Sequence, residues 1–342
     1  MAMPPLLRRT LTLVLVACAA SAGSAPPEKR EITIAVGGKA ALYYLPLSLA
    51  ERLGYFKDEG LLVEILDFPG GAKSLQAMVG GSADVVSGGF DHTITMQARG
   101  QKLTAFVLQG TTPAISLGVV TAKAAGWTGP QSLKGMKVGV TAPGSSTHMF
   151  VNSLLARGGL GADDVSVIGV GTGPSAVAAV RAGHLDAIAN IEPVITMLER
   201  SGSIAVQVET VSEKGSMALF GATLPSGCLY TKATFIRENP HTVQALTNAM
   251  VRALGWLAKA TSDEIARAVP QDYLLGDRTL YLAALSKQRQ SYSRDGRIPP
   301  EGAAAMHRVL AGFEPSVRSS PGLELNATYT NRFVDAALAS SR

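Results

Sequence analysis

The sequence predicts an α/β protein built as two similar lobes, each a mainly parallel sheet flanked by helices. Three observations carry this. Short Val- and Ile-rich segments alternate with helical stretches, and glycines sit at most of the junctions. Parallel neighbours need a crossover, usually a helix, so this alternation implies parallel layers. Second, Gly71, Ala77, Gly81 and Asp84 match Gly173, Ala179, Gly183 and Asp186 without gaps at an offset of 102. Third, 342 residues with 46% apolar composition can fill two medium cores.

The elements follow in order. Ile32–Val36 is a strand closed by Gly37-Gly38, and Pro46 to Leu53 is a helix with Leu49, Leu53 and Phe56 on one face. Leu62 to Phe68 is a second strand, broken by Pro69-Gly70-Gly71, and Ala72 to Val79 a helix stopped by Gly80-Gly81. Asp84-Val85-Val86 begins a third strand that runs into Ser87-Gly88-Gly89-Phe90. The second round has strands at Met136–Val140 and Val165–Val170, with helices from Ser146 to Arg157 and from Pro174 through Arg181. From Thr234 the pattern is helical, with Val243, Leu246, Met250, Leu254 and Leu257 forming one stripe. This tail is expected to pack on the first lobe, after a crossing segment near Ala222 to Thr231. The resulting division is 1–27 as a leader, 28–120 as the first part of lobe one, 121–222 as lobe two, and 223–342 as the return to lobe one with C-terminal helices.

Residues 1–27 read as an export signal. Arg8 and Arg9 form the positive region and Leu11 to Ala17 a short apolar core. Two exits compete: small-residue cleavage at Ala20-Ser21-Ala22 or Gly23-Ser24-Ala25, and lipidation of Cys18 in Leu15-Val16-Ala17-Cys18. The expected location is therefore periplasmic or otherwise extracytoplasmic, with or without a lipid anchor. Cys228 is the one other cysteine, so no internal disulfide is expected after cleavage. The net charge of +5 falls to +3 without the leader and is dispersed, which argues against a nucleic-acid partner.

No G-x-S-x-G elbow or phosphate-cradling G-x-x-x-x-G-K-[ST] loop occurs. None of the five histidines has a second His or Cys at metal-ligand spacing, so neither a metal nor a cofactor is expected. Gly169-Val170-Gly171-Thr172-Gly173 falls short of the dinucleotide fingerprint and reads as a glycine turn repeated from lobe one. What remains is a set of strand-end junctions, where open α/β sheets bind ligands. Pro143-Gly144-Ser145-Ser146-Thr147-His148 offers hydroxyls and helix-start amides for a polar or anionic group, although ordinary helix capping explains the same residues. Gly70 and Gly71 form the matching junction in lobe one. Tyr43 and Tyr44 could line a slot with amphipathic rings. Phe90 is read as slot or core, and Asp91 as a ligand contact or a cap for the helix that holds His92. Glu192, after Ile191, either meets a ligand amine or starts the following helix.

Tyr44-Leu45-Pro46-Leu47, Gly54-Tyr55-Phe56, Glu59-Gly60-Leu61 and Gly70-Gly71 together resemble the opening of the nitrate/sulfonate/taurine-type substrate-binding proteins of ABC importers, a family that includes thiamine-pyrimidine-precursor binding proteins. Leu133 to Val140 resembles that family's second-lobe entry, and Gly183-His184-Leu185-Asp186-Ala187 with Glu192-Pro193 resembles its G-x-x-D-A … [DE]-P segment. The resemblance covers about Ile32 to Leu198. It implies a hinge-bending periplasmic-binding-protein fold of type II, with the ligand in the interlobe cleft. By position the cleft would be lined by Tyr43, Gly70, Gly71, Phe90, Ser145, Ser146, Thr147 and the Ile191–Glu192 region. Many members carry Trp where this chain has Ile191, so sulfonate specificity does not transfer. The cysteine-rich catalytic segment of the fungal thiamine-precursor enzymes is absent.

The expectation is a monomeric, non-enzymatic receptor that delivers a small polar or anionic organic solute to an ABC permease and its ATPase. Two alternatives stay open: an enzyme of pyrimidine or thiamine-precursor metabolism on the same scaffold, and a receptor that signals without transport.

Overall fold

The structure is a computed structural model that describes residues 25–340; the export-signal segment up to Ser24, with Cys18, lies outside the described residues. Among the described residues, ten strands form two sheets: β1 (Glu31–Val36), β2 (Leu62–Asp67), β3 (Val85–Gly89), β4 (Leu103–Leu108), β5 (Ser116–Val120), β6 (Lys137–Val140), β7 (Ser166–Gly169), β8 (Ala187–Asn190), β9 (Ile204–Glu209) and β10 (Gly227–Lys232). The first sheet has the order β2-β1-β3-β10-β4 and the second β7-β6-β8-β5-β9. β1 pairs in parallel with β2 and β3, and β6 likewise with β7 and β8. β10 and β5 each run antiparallel to both of their neighbours. Each sheet is thus four co-directional strands plus one reversed strand in the fourth position.

The reversed strand has a topological cause. β5 enters the second sheet from the first, and β10 returns from the second to the first. A chain that arrives from the other lobe runs back along the sheet it joins. The crossing segments lie side by side and pair: Gln109 N–H donates to Gly227 O at 2.6 Å, Ser226 N–H to Gly110 O at 2.9 Å, and Thr210 N–H to Ile115 O at 3.0 Å. The first crossing ends at Ile115, so Ser116–Val120 belongs to the second sheet rather than to the first lobe, where the sequence reading placed it.

The repeat at offset 102 is structural. Asp84 Oδ2 accepts from Thr33 N–H at 3.0 Å, and its Oδ1 meets Lys29 Nζ at 2.6 Å. Asp186 Oδ2 accepts from Lys137 N–H at 2.8 Å, and its Oδ1 meets Lys123 Nζ at 2.6 Å. In each lobe the same aspartate pins the start of the central strand against its neighbour.

The tail packs on lobe one and also reaches lobe two. The Pro240–Lys259 helix lies against the Leu45–Arg52 and Arg332–Ser340 helices. The Pro300–Phe313 helix contacts both the Asp91–Ala98 helix of lobe one and the Ser146–Arg157 helix of lobe two, where Met149 joins Met306 and Leu310 in one core cluster. Among the described residues, no helix is long and apolar enough to cross a membrane.

Candidate functional site

The C-terminal ends of β1, β2, β3, β6, β7 and β8 face one another across the interlobe seam. Two helices begin there from opposite sides: Gly71–Val79 after β2 and Ser146–Arg157 after β6. Their first-turn amides carry positive potential and lack intrahelical partners, a setting suited to anionic or strongly polar groups. Among the described residues, no lysine or arginine borders the cavity between them, whose lining includes Tyr43, Tyr44, Gly71, Ser145, Ser146 and Ile191.

The serine hydroxyls do something other than cap. Ser145 occupies the cap position without a capping hydrogen bond; its Oγ accepts from Ala72 N–H of the other lobe at 2.9 Å. Ser146 Oγ donates across the seam to Asp91 Oδ1 at 2.6 Å. Leu42 N–H donates to Glu192 O at 3.0 Å, a third interlobe bond. Thr147 acts within its own lobe: its Oγ1 accepts from Thr141 N–H at 3.0 Å. The lobes are therefore latched directly to each other. The cavity left between them is about 20 Å³, room for roughly one water. Any organic solute has to enter with the lobes apart.

The glycines at the seam permit this approach. A Cβ on Gly38 would lie 2.0 Å from Thr172 Oγ1, and one on Gly70 3.0 Å from the Ala142 Cβ, both across the seam. Tyr43 and Tyr44, in the short turn after β1, pack edge to face with centroids 4.8 Å apart. Burial pushes both phenols up, so they stay neutral hydrogen-bonding groups at physiological pH.

Other expected residues fall elsewhere. Phe90 is fully buried in lobe one, edge-on to Tyr329 at 6.3 Å, and is not among the residues lining the cavity. Its strand-end position put the ring on the core side of the turn. Glu192 is 2% exposed and turns back on its own helix, where Oε2 accepts from Thr196 N–H at 3.0 Å. Burial pushes its carboxyl up. It takes the helix-start role weighed for it in the sequence, but from a buried position. Gly70 supports the seam without bordering the cavity. Asp91 begins its helix and holds Ser146.

Four lining residues were missed: Gly37, Ile115, Thr141 and Thr172. The repeat could have found one of them, since Thr172 is the offset equivalent of Gly70. Ile115 lies at the crossing and carries no local signal.

Two α/β lobes of matching topology, joined by paired crossings and meeting at their strand ends, define the periplasmic-binding-protein fold found in the substrate-binding proteins of ABC importers. The chain belongs to the NMT1/THI5-like family, whose profile matches residues 41–262. It is 52% identical to a solved structure from Bordetella bronchiseptica RB50, with a TM-score of 0.90 over 93% of this chain and 99% of that one. The alkanesulfonate-binding protein SsuA from Xanthomonas axonopodis pv. citri, bound to MOPS, shares the fold at 20% identity and a TM-score of 0.68, over 89% of this chain and 99% of that one. Among curated proteins, the 4-amino-5-hydroxymethyl-2-methylpyrimidine phosphate synthase of Aspergillus parasiticus is 27% identical over 325 residues, covering 90% of this chain and 88% of its own.

Proposed function

We propose that this protein is an extracytoplasmic solute receptor that hands a small polar or anionic organic molecule to an ABC permease and its ATPase. The observation that carries the reading is the seam itself. Two opposed helix starts, two buried tyrosines and the Ser145 and Ser146 hydroxyls converge on one interlobe cavity with no charged side chain among its lining residues. Ligand replaces the direct Ser145–Ala72 and Ser146–Asp91 bonds with bonds to itself. Binding energy realised in both lobes at once then favours the closed state. The polar head sits against the Ser145–Thr147 helix start and the organic part against Tyr43, Tyr44 and Ile191.

The test is a thermal-shift screen of the mature chain against sulfonates, nitrate, aromatic carboxylates and pyrimidines, followed by calorimetry on any hit. Replacing Ser145 and Ser146 together with alanine is expected to weaken that hit about tenfold or more, since each lost hydrogen bond is worth about 0.5–1.5 kcal/mol. Unchanged affinity removes the site assignment.

A second reading, an enzyme acting on a pyrimidine precursor, is favoured by the name of the Aspergillus relative. Product formation by the purified chain from a pyrimidine-precursor mixture would select it over the receptor; saturable binding with no product selects the receptor.

A further inference from the structure

The C-terminal tail forms an open-sided groove of about 490 Å³, within the range of small-molecule sites. It shares no lining residue with the tyrosine cavity. Every residue that lines it lies between Leu254 and Arg294, so its walls belong to one body of the molecule and do not depend on the lobes being shut. Its apolar, buried residues are Leu254 and Leu257 of the Pro240–Lys259 helix, and Tyr292. Tyr292 spends its hydroxyl proton on Leu42 O at 2.7 Å, so what it offers the groove is ring surface.

The charged groups on this lining are two arginines, and no Asp or Glu is among the lining residues. Arg289 is half-buried, and its Nη2 donates to Leu257 O at 3.0 Å and to Ala260 O, carbonyls at the end of the Pro240–Lys259 helix. Those bonds fix the guanidinium plane, while its Nε–H and Nη1–H groups meet no acceptor among the described residues. Arg294 is exposed and has neither a hydrogen bond nor an ion pair among the described residues. The adjacent Asp295 does not answer it, because that carboxylate takes the Arg297 N–H at 2.9 Å and the Arg297 guanidinium at 3.3 Å. A planar guanidinium fork matches a carboxylate two bonds at a time, and a fork already held in place loses less freedom on binding. Two such cations bordering one groove repel a third and favour an anion. The buried leucines and the tyrosine ring add a preference for an anion with an apolar body.

We propose that this groove is a second ligand site, which binds a small aryl carboxylate with its oxygens on Arg289 and Arg294 and its ring on Leu254, Leu257 and Tyr292. The proposal does not rest on the receptor reading of the interlobe cleft. The site backs onto the hinge, since Ser293 N–H donates to Gln109 O of the first crossing at 2.9 Å.

Calorimetry of the mature chain at pH 7.5 and low salt, with sodium benzoate, benzyl alcohol, benzylammonium chloride and sodium sulfate, tests this. The expected result is saturable benzoate binding, about tenfold or more tighter than benzyl alcohol or sulfate, with no saturable benzylammonium binding. Arg294→Glu has no partner to lose and is expected to weaken benzoate about tenfold or more with the melting temperature unchanged. Arg289→Lys keeps the charge and loses the fork, and is expected to weaken benzoate several-fold. Ile191→Trp, which fills the tyrosine cavity, is expected to leave benzoate binding intact. Benzoate binding that survives Arg294→Glu and disappears in Ile191→Trp places the anion in the cleft; it overturns this proposal and leaves the receptor reading standing. No saturable benzoate binding, or sulfate binding as tight as benzoate (an adventitious ion only), also overturns it.

Discussion

At the scale of single residues, burial decides which polar groups act and which only hold the fold. Glu192 shows this. Its carboxyl is buried behind the seam and caps its own helix through Thr196 N–H. Burial raises its folded-state pKa above the unfolded value. Protonation is therefore favoured in the folded state, and the charged form costs stability as pH rises through that raised value. Glu192→Gln keeps the acceptor and removes the charge. Relative to wild type, the glutamine variant is expected to gain stability as pH rises from the unfolded-state carboxylate range to the raised folded value and to level off above it, followed by melting temperature. A difference that stays flat with pH would show that the carboxylate's burial is compensated. Thr147 supplies a second residue-scale expectation. It holds Thr141 N–H inside lobe two, so Thr147→Ala is expected to cost about 1–2 kcal/mol in denaturant unfolding without a selective loss of binding. Ser145 and Ser146, the two residues before it, are expected to behave the opposite way.

At the scale of elements, the helices and parallel strands were legible in the sequence and the reversed strands were not. Strand, glycine turn and amphipathic helix each leave a local pattern, and the Gly71–Asp84 repeat of Gly173–Asp186 ends on an aspartate that makes the same strand-start bond in both lobes. β5 and β10 look locally like any buried strand; their direction is set by where the chain has just been, which no local window contains. The same limit explains the site. The Ser145–Thr147 junction and the tyrosine pair announce themselves, whereas Ile115 acquires its place only through the crossing, and the side to which Phe90 turns is set by packing against Tyr329. The repeated aspartates make the element scale testable. Asp84→Ala and Asp186→Ala each free a strand-start amide and a lysine, and each is expected to cost about 0.5–1.5 kcal/mol, adding within roughly 0.5 kcal/mol in the double variant. Burial pushes the Asp186 carboxyl up, but the Lys123 and Lys137 N–H contacts outweigh it and hold the pKa below the usual value. Its contribution is thus present above the unfolded-state pKa and fades as pH drops through the lower folded value. The gap between wild type and Asp186→Ala is expected to shrink below about pH 4 in urea titrations.

At the scale of the whole molecule, the question is what keeps the lobes together. The seam is held by few direct bonds, and the crossings that join the lobes are two paired strand extensions, a geometry that bends more readily than it shears. Gly89 sits where the lobes touch: a Cβ there would lie 2.0 Å from Ser146 Oγ and 2.3 Å from Asp91 Oδ1. Its backbone is that of a regular strand end and its φ is not in the left-handed region, so alanine brings steric bulk without backbone strain. The methyl group of Gly89→Ala has to displace Ser146 Oγ and Asp91 Oδ1, which breaks the hydrogen bond that latches one lobe to the other. The variant is expected to show a larger radius of gyration in X-ray scattering without ligand, a ligand affinity lowered several-fold because closure now costs more, and a melting temperature within a few degrees of wild type. A scattering profile identical to wild type would mean that Ser146 yields locally, and that the latch contributes little to holding the two halves of the molecule closed.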